Sequence, residues 1–222
     1  MLERIVHNHL MNYLLSNNVL SPRQFKLAFA PKVPLKRPYS KLLTIGITTW
    51  TKVVQWPRSS LIDLSKAFNK VPHSQLIAIL ANIGVSGPLL AWFRSYLSDR
   101  SQRVVLDGHS STTHTVTSGV PQGSILGPLL FSIYLNPLAN IFLSHNSTLI
   151  VYADDIVLYR PVVTNSDVQT LQADVDKVAN WVKAAGLSLN ASKSKVVVFT
   201  CKRDQLSVTM SSHLLSLLAS LE

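Results

Sequence analysis

Tyr152-Ala153-Asp154-Asp155 sets two adjacent carboxylates in an apolar setting, with Leu149, Ile150 and Val151 before them and Ile156, Val157 and Leu158 after. Ionised side chains are seldom placed within a buried hairpin unless they are paired or bound to a metal, because losing their water is costly. An exposed hairpin turn, where Asp is common, accounts for the same residues. Asp63 ends a second apolar run, Leu61-Ile62, and a helical pattern follows it; an isolated Asp in that place is more often a helix cap than a ligand. Three carboxylates at strand ends and a hairpin turn can converge on one point. Such a cluster holds two divalent ions roughly 3.5–4 Å apart, one activating an attacking oxygen and one stabilising a leaving oxygen. Mg²⁺ suits it, since one or two carboxylates with substrate phosphates complete its shell. A third signal is Ser118-Gly119-Val120-Pro121-Gln122-Gly123-Ser124. Its glycines permit close backbone approach, and Ser124 would lead a helix whose N-terminus attracts phosphate. An ordinary turn and N-cap is the plainer account of that heptad.

The elements that must position these residues follow from periodicity. Leu2, Ile5, Val6, Leu10, Tyr13 and Leu14 have helical spacing, stopped by Asn17, Asn18 and Pro22. Residues 24–58 fit no period, being broken by Pro31, Pro34 and Pro38. Leu61–Leu64 reads as a buried strand. Helices are expected from His73 to Gly84 and over Leu89–Leu97, and a hairpin from Gln102–Leu106 and His114–Thr117 around Asp107-Gly108. Ser124–Leu143 reads as a long apolar helix in which Pro128 and Pro137 mark kinks or breaks. Two strands flank Asp154-Asp155 over 148–159. Residues 166–185 give the most legible helix, with Ser166 and Gln169 fitting a capping box and Gly186 stopping it. Leu187–Leu189 and Lys195–Phe199 read as short strands. This mixture, with antiparallel hairpins, is an α+β pattern.

The 222 residues, 47% hydrophobic, suffice for one large domain with a substantial core. A net charge of +10 favours polyanionic partners. The charge is unevenly spread: no acidic residue occurs between Glu3 and Asp63, and eight Lys or Arg lie from Arg23 to Arg58. One cysteine, Cys201, excludes an internal disulfide. Without an apolar leader or a membrane-length apolar run, the expectation is a soluble intracellular protein, nuclear or cytoplasmic, with no membrane partner. His73, His109 and His114 lack metal-ligand spacing and read as structural or surface residues.

The order of these signals is more specific than any one of them. Ile62–His73 (IDLSKAFNKVPH), Ser118–Phe131 (SGVPQGSILGPLLF), Tyr152–Asp155 (YADD) and Gly186–Lys195 (GLSLNASKSK) resemble the successive palm motifs of LINE-type (non-LTR retrotransposon) reverse transcriptases. Residues 84–108, with Trp92, Tyr96, Arg100, Gln102 and Val104, resemble the segment between the first two motifs. Glu3–Phe25 is similar to the fingers entry. The resemblance implies an α+β polymerase palm, an antiparallel sheet packed on helices, with incomplete fingers and no thumb. Residues 1–60 would be a degenerate fingers region, 61–200 the palm and 201–222 an atypical tail. It further implies an RNA-directed DNA polymerase acting on an RNA template, a DNA primer and deoxynucleoside triphosphates, with two Mg²⁺ ions or, in their place, Mn²⁺. Asp63, Asp154 and Asp155 would be the metal-binding catalytic carboxylates. Phe68 would select against a 2′-hydroxyl, and Gln122 and Gly123 would floor the pocket. Lys193 or Lys195 would protonate the leaving pyrophosphate, with a solvated strand edge as the alternative for both.

The chain also departs from the family pattern. After Gln24-Phe25 the family continues with Gly-Phe-Arg and a Gly-x-Ser-Thr pattern, whereas here Lys26-Leu27-Ala28-Phe29 follows. A frameshifted insert entering near Phe25 and leaving near Leu61 would produce that loss and recovery. Asn69 stands where the family commonly has Asp. Two other readings share the motifs: a catalytically dead nucleic-acid-binding relic, and an intron-type maturase.

Overall fold

The computed structural model describes residues 2–21 and 56–198. Most of the proline-broken basic segment, the proposed frame change within it, the strand end at Phe199 and the tail lie outside them. Two compact units are formed, Met1–Val19 with Lys66–Tyr134 and Leu20–Ser65 with Leu135–Glu222.

In the first unit, α1 (Leu2–Ser16), α2 (His73–Asn82) and α3 (Gly87–Leu97) bury residues spaced three or four apart: Leu10 and Leu14, Leu76 and Leu80, Phe93 and Leu97. The Tyr13 hydroxyl donates to the Ile83 carbonyl at 2.8 Å, tying α1 to the end of α2. An exposed ribbon follows. β2 (Ser101–Gln102) pairs with β5 (His114–Thr115), and β3 (Val105–Leu106) with β4 (His109–Ser110). The hairpin expected around Asp107-Gly108 is present, but its inner return strand is 109–110, not 114–117. Asp107 and Gly108 both have positive φ, 48° and 77°, which makes a two-residue turn and forces Leu106 opposite His109.

α4 (Gly127–Ala139) runs from the first unit into the second, and all residues from Leu129 to Asn136 are buried. Burial on every side explains its largely apolar character, with Ser132 and Asn136 the polar exceptions. It is shorter than the 124–143 expected. Ser124 Oγ accepts the Gly127 N–H at 2.8 Å and so sets the start, with Pro128 in the first turn, where its missing N–H is harmless. Pro137 lies two residues from the end, and isolated turns from Asn140 to Pro137 and Ile141 to Leu138 finish the chain reversal.

The second unit holds a four-stranded antiparallel sheet in the order β6-β7-β1-β8, built from β1 (Trp56–Asp63), β6 (Thr148–Tyr152), β7 (Asp155–Val162) and β8 (Lys195–Val198). The strand expected at Leu61–Leu64 thus begins earlier, with Trp56 opposite Val162, and Leu64 makes only a single bridge to Leu189. Alternation puts Ile62, Leu149, Val151, Ile156 and Leu158 on one buried face. On the other, Ile150 and Val157 pack with Leu61 and Tyr159. α5 (Asn165–Ala184) covers β7. Its capping box is Thr164 with Asp167, not Ser166 with Gln169. Asp167 wins because it also accepts the Val163 N–H and an Arg160 guanidinium N–H, so the helix starts one residue earlier than expected. No helix among the described residues is long and apolar enough to cross a membrane.

Candidate active site

Asp63, the last residue of β1, stands directly opposite Asp155, the first of β7. Tyr152 and Asp155 close the β6–β7 hairpin, leaving Ala153 and Asp154 as its two-residue turn. Ala153 has φ 50°, the left-handed conformation that such turns demand at their first central position and that an Ala adopts at a cost. The turn and the β1–β7 register together collect three carboxylates at one end of the sheet.

Like charges directly opposed on a ladder destabilise it. The Asp155 carboxyl is accordingly held above the ordinary carboxylate value, first by partial desolvation and then by repulsion from Asp154 and Asp63. Residues 188–195 complete this end. The Ser65 N–H donates to the Ser188 carbonyl at 2.8 Å, the Asn190 N–H to the Asp63 carbonyl at 2.9 Å, and the Asp63 N–H to Ser194 Oγ at 3.2 Å. Ser194 in turn donates to the Asn190 carbonyl at 2.8 Å. This lacing starts β8 beside β1, with Lys195 opposite Leu61. Asp63, Asp155, Lys193 and Lys195 line one pocket of about 260 Å³. Both lysines are exposed, and neither forms an ion pair among the described residues.

Phe68, Gln122 and Gly123 belong to the first unit. Phe68 lies in a single 3-10 turn, Ala67–Asn69, and stacks on Phe131 with ring centroids 4.2 Å apart. The 118–120 loop is tied to this segment at four points. The Gly119 N–H donates to the Val71 carbonyl and the Val120 N–H to the Phe68 carbonyl, both at 2.8 Å. Ser118 Oγ donates to the Asn69 carbonyl at 2.9 Å, and His73 Nε2 lies 2.8 Å from the Gly119 carbonyl oxygen. At Gly119, with φ 93°, a Cβ would come within 2.8 Å of the Asn69 backbone, so only glycine fits. Gln122 and Gly123 are exposed.

The oxygen-only donor set of Asp63, Asp154 and Asp155 fits a hard divalent cation in chemistry. Among the described residues, however, no three acidic, histidine or cysteine side chains approach closely enough to hold one. The ladder supplies a facing pair, with the third carboxylate in the neighbouring turn. Sequence reasoning missed Ser194 and Asn190, which fix the end of β1; the Asn190-Ala191-Ser192 run was a turn signal that could have pointed to them. It also left His73 without a partner.

A family model described as reverse transcriptase (RNA-dependent DNA polymerase) matches residues 2–212. A probable RNA-directed DNA polymerase from transposon X-element of Drosophila melanogaster is 33% identical over 67% of this chain and 17% of its own length. The RNA-directed DNA polymerase from mobile element jockey of Drosophila funebris is 29% identical over 97% of this chain and 24% of its own. The chain therefore spans about a fifth of the length of these curated relatives. Among solved structures, telomerase from Candida tropicalis in complex with a TWJ fragment of telomeric RNA superposes with a TM-score of 0.66 at 14% identity, covering 94% of this chain and 36% of that one. The apo telomerase of Candida tropicalis, truncated from its C-terminal domain, gives 0.64 at 14%, covering 91% and 41%. At that identity the likeness is one of fold, the polymerase palm.

Proposed function

The chain belongs to the reverse transcriptase (RNA-dependent DNA polymerase) family, and from that premise we propose that it transfers deoxynucleotides to a primer 3′-hydroxyl under the direction of an RNA template. The observation that carries this reading is the direct opposition of Asp63 and Asp155 beside the Asp154 turn. A sheet that sets two carboxylates face to face, at an energetic cost, gains a reason for doing so from a cation.

Asp63, Asp154 and Asp155, once drawn closer together than they stand here, would hold two Mg²⁺ ions, or Mn²⁺ in their place. When bound, these would neutralise phosphate charge and lower the pKa of the attacking hydroxyl. The chain's own residues then orient and exchange protons. The primer hydroxyl gives up its proton to solvent as its oxygen bonds to the α-phosphorus and the α–β phosphoanhydride breaks, and the pyrophosphate leaves with the electron pair. Lys193 or Lys195, both lining the carboxylate pocket, would give it a proton. Phe68 would exclude a 2′-hydroxyl, its ring held against Phe131. Gln122 and Gly123 would meet the template base and nucleotide. In-line positioning and charge neutralisation do the catalysis.

The test is primer extension on an RNA template by the full chain with Mg²⁺. Asp154→Asn should lower the rate about 10³-fold, the scale of losing one strong electrostatic contact to the reacting phosphate. Equal rates in the two proteins would sink the reading. A binding-only role is favoured by one observation, the Lys26-Leu27-Ala28-Phe29 stretch in place of the family's arginine pattern. It is the outcome if both proteins bind RNA and neither extends a primer.

A further inference from the structure

We propose that His73 is a positioning residue for nucleotide sugar selection: it clamps the Gly119–Val120 peptide, and that peptide in turn fixes the backbone of Phe68. This deepens the polymerase reading and rests on it. All of these residues belong to the first unit.

The Gly119 carbonyl and the Val120 N–H are opposite ends of one planar peptide group. At one end His73 Nε2 lies 2.8 Å from the Gly119 oxygen, and at the other the Val120 N–H donates to the Phe68 carbonyl at 2.8 Å. A carbonyl oxygen only accepts, so Nε2 carries the proton and donates. The plane is thereby pinned at both edges. Gly119 makes that pinning necessary. With φ 93° and no Cβ, it leaves the peptide that follows freer to turn than any other residue would. The Asn69 backbone, within 2.8 Å of where a Cβ would stand, forbids a stiffer residue at that position. His73 supplies from outside the loop the restraint that glycine withholds. It is mounted on a firm base, as the first residue of α2, whose Leu76 and Leu80 are fully buried.

Phe68 has little of its own to hold it. Its 3-10 turn is three residues long, entered through Lys66 in a left-handed conformation. The ring rests on Phe131, and the carbonyl rests on the Val120 N–H. With the peptide released, one of these two supports goes and the ring can slide along the stack. Rejecting a substrate for one extra oxygen depends on close contact, and a shift of about 1 Å in such a contact can change a rate by up to 10²-fold.

The experiment measures kcat/KM for a deoxynucleoside triphosphate and for its ribonucleotide counterpart, by primer extension on an RNA template with the full chain. His73→Leu should reduce the preference for the deoxynucleotide about fivefold, the scale of one net hydrogen bond, chiefly by lowering KM for the ribonucleotide. His73→Gln, whose amide N–H can donate to the same oxygen, should restore the preference to within about twofold of wild type. A poorly folded fraction lowers both rates alike and leaves their ratio untouched. An unmoved ratio in His73→Leu, or an equal loss in the Gln and Leu variants, therefore overturns the proposal. Amide hydrogen exchange tests the clamp without any activity. The Val120 N–H should exchange faster in His73→Leu, while the Leu130 N–H, bonded to the Leu126 carbonyl at the start of α4, keeps its rate. An unchanged Val120 rate overturns the clamp. If the wild type extends no primer, the polymerase reading fails and takes the sugar selection with it. If it extends a primer and His73→Leu discriminates as the wild type does, only this proposal fails.

Discussion

Two carboxylates on opposed positions of an antiparallel ladder repel each other whenever both are ionised. Asp63 and Asp155 are such a pair, and Asp155 is correspondingly reluctant to lose its proton. Asp155→Asn should therefore stabilise the metal-free chain by about 0.5 kcal/mol, the scale of one cross-strand pair. Thermal unfolding in EDTA measures this, and a drop in the midpoint would contradict it. Added Mg²⁺ should raise the wild-type midpoint more than the variant's, because a ligand stabilises the state that binds it. All three aspartates were legible as candidates from their apolar neighbours. Their pairing was not, because the partner of a strand residue is set by register between segments far apart in sequence. Arg100 was quoted only as part of a motif, since nothing local shows that Tyr96 carries it or that Glu3 holds Tyr96.

Helices and strands report how far propensity carries. α1, α2, α3 and α5 were visible as periodic stripes, whereas ends were decided by particular hydrogen bonds: Ser124 on Gly127, Thr164 with Asp167. At the start of α5, Asp167 is held well below the usual carboxylate range by the Thr164 backbone N–H, then the Val163 N–H, the Thr164 hydroxyl and Arg160. Farther along, burial pushes Asp174 upward, but Lys177, Ser147 and Ser144 together outweigh it and leave it lowered. Both carboxyls bind protons less readily folded than unfolded. Their stabilisation is full above the unfolded carboxylate pKa of about 4 and is lost as pH falls through the lower folded values. The thermal midpoint should thus decline as the solution is acidified below about pH 4, and Asp174→Asn should flatten that decline. A slope identical to wild type would mean that the helix anchors at Ser144 and Lys177 do not act as drawn. Thr164→Ala should cost about 1 kcal/mol at neutral pH, the usual loss of an N-cap.

At the scale of the whole molecule, the fold class was readable because four motifs arrive in palm order, each with its own turn or strand signal. The groove beside the β2–β5 ribbon was not, because its lining comes from three separate stretches, around Asn69, Arg100 and Thr115. A surplus of ten positive charges predicts carry-over of host nucleic acid when the protein is purified at low salt. The ratio of absorbance at 260 to 280 nm should fall after a high-salt wash; a preparation clean at low salt would argue against the polyanion preference. One last consequence follows from the facing of Asp63 and Asp155. Strand register changes only in whole residues, and a slip of one would turn Asp63 to the opposite, buried face of the sheet. A misassembled molecule is then wholly silent and never merely slow. If the chain polymerises, partial heat damage should shrink the amplitude of the first-turnover burst in proportion to the molecules lost, while the burst rate constant of the survivors stays where it was.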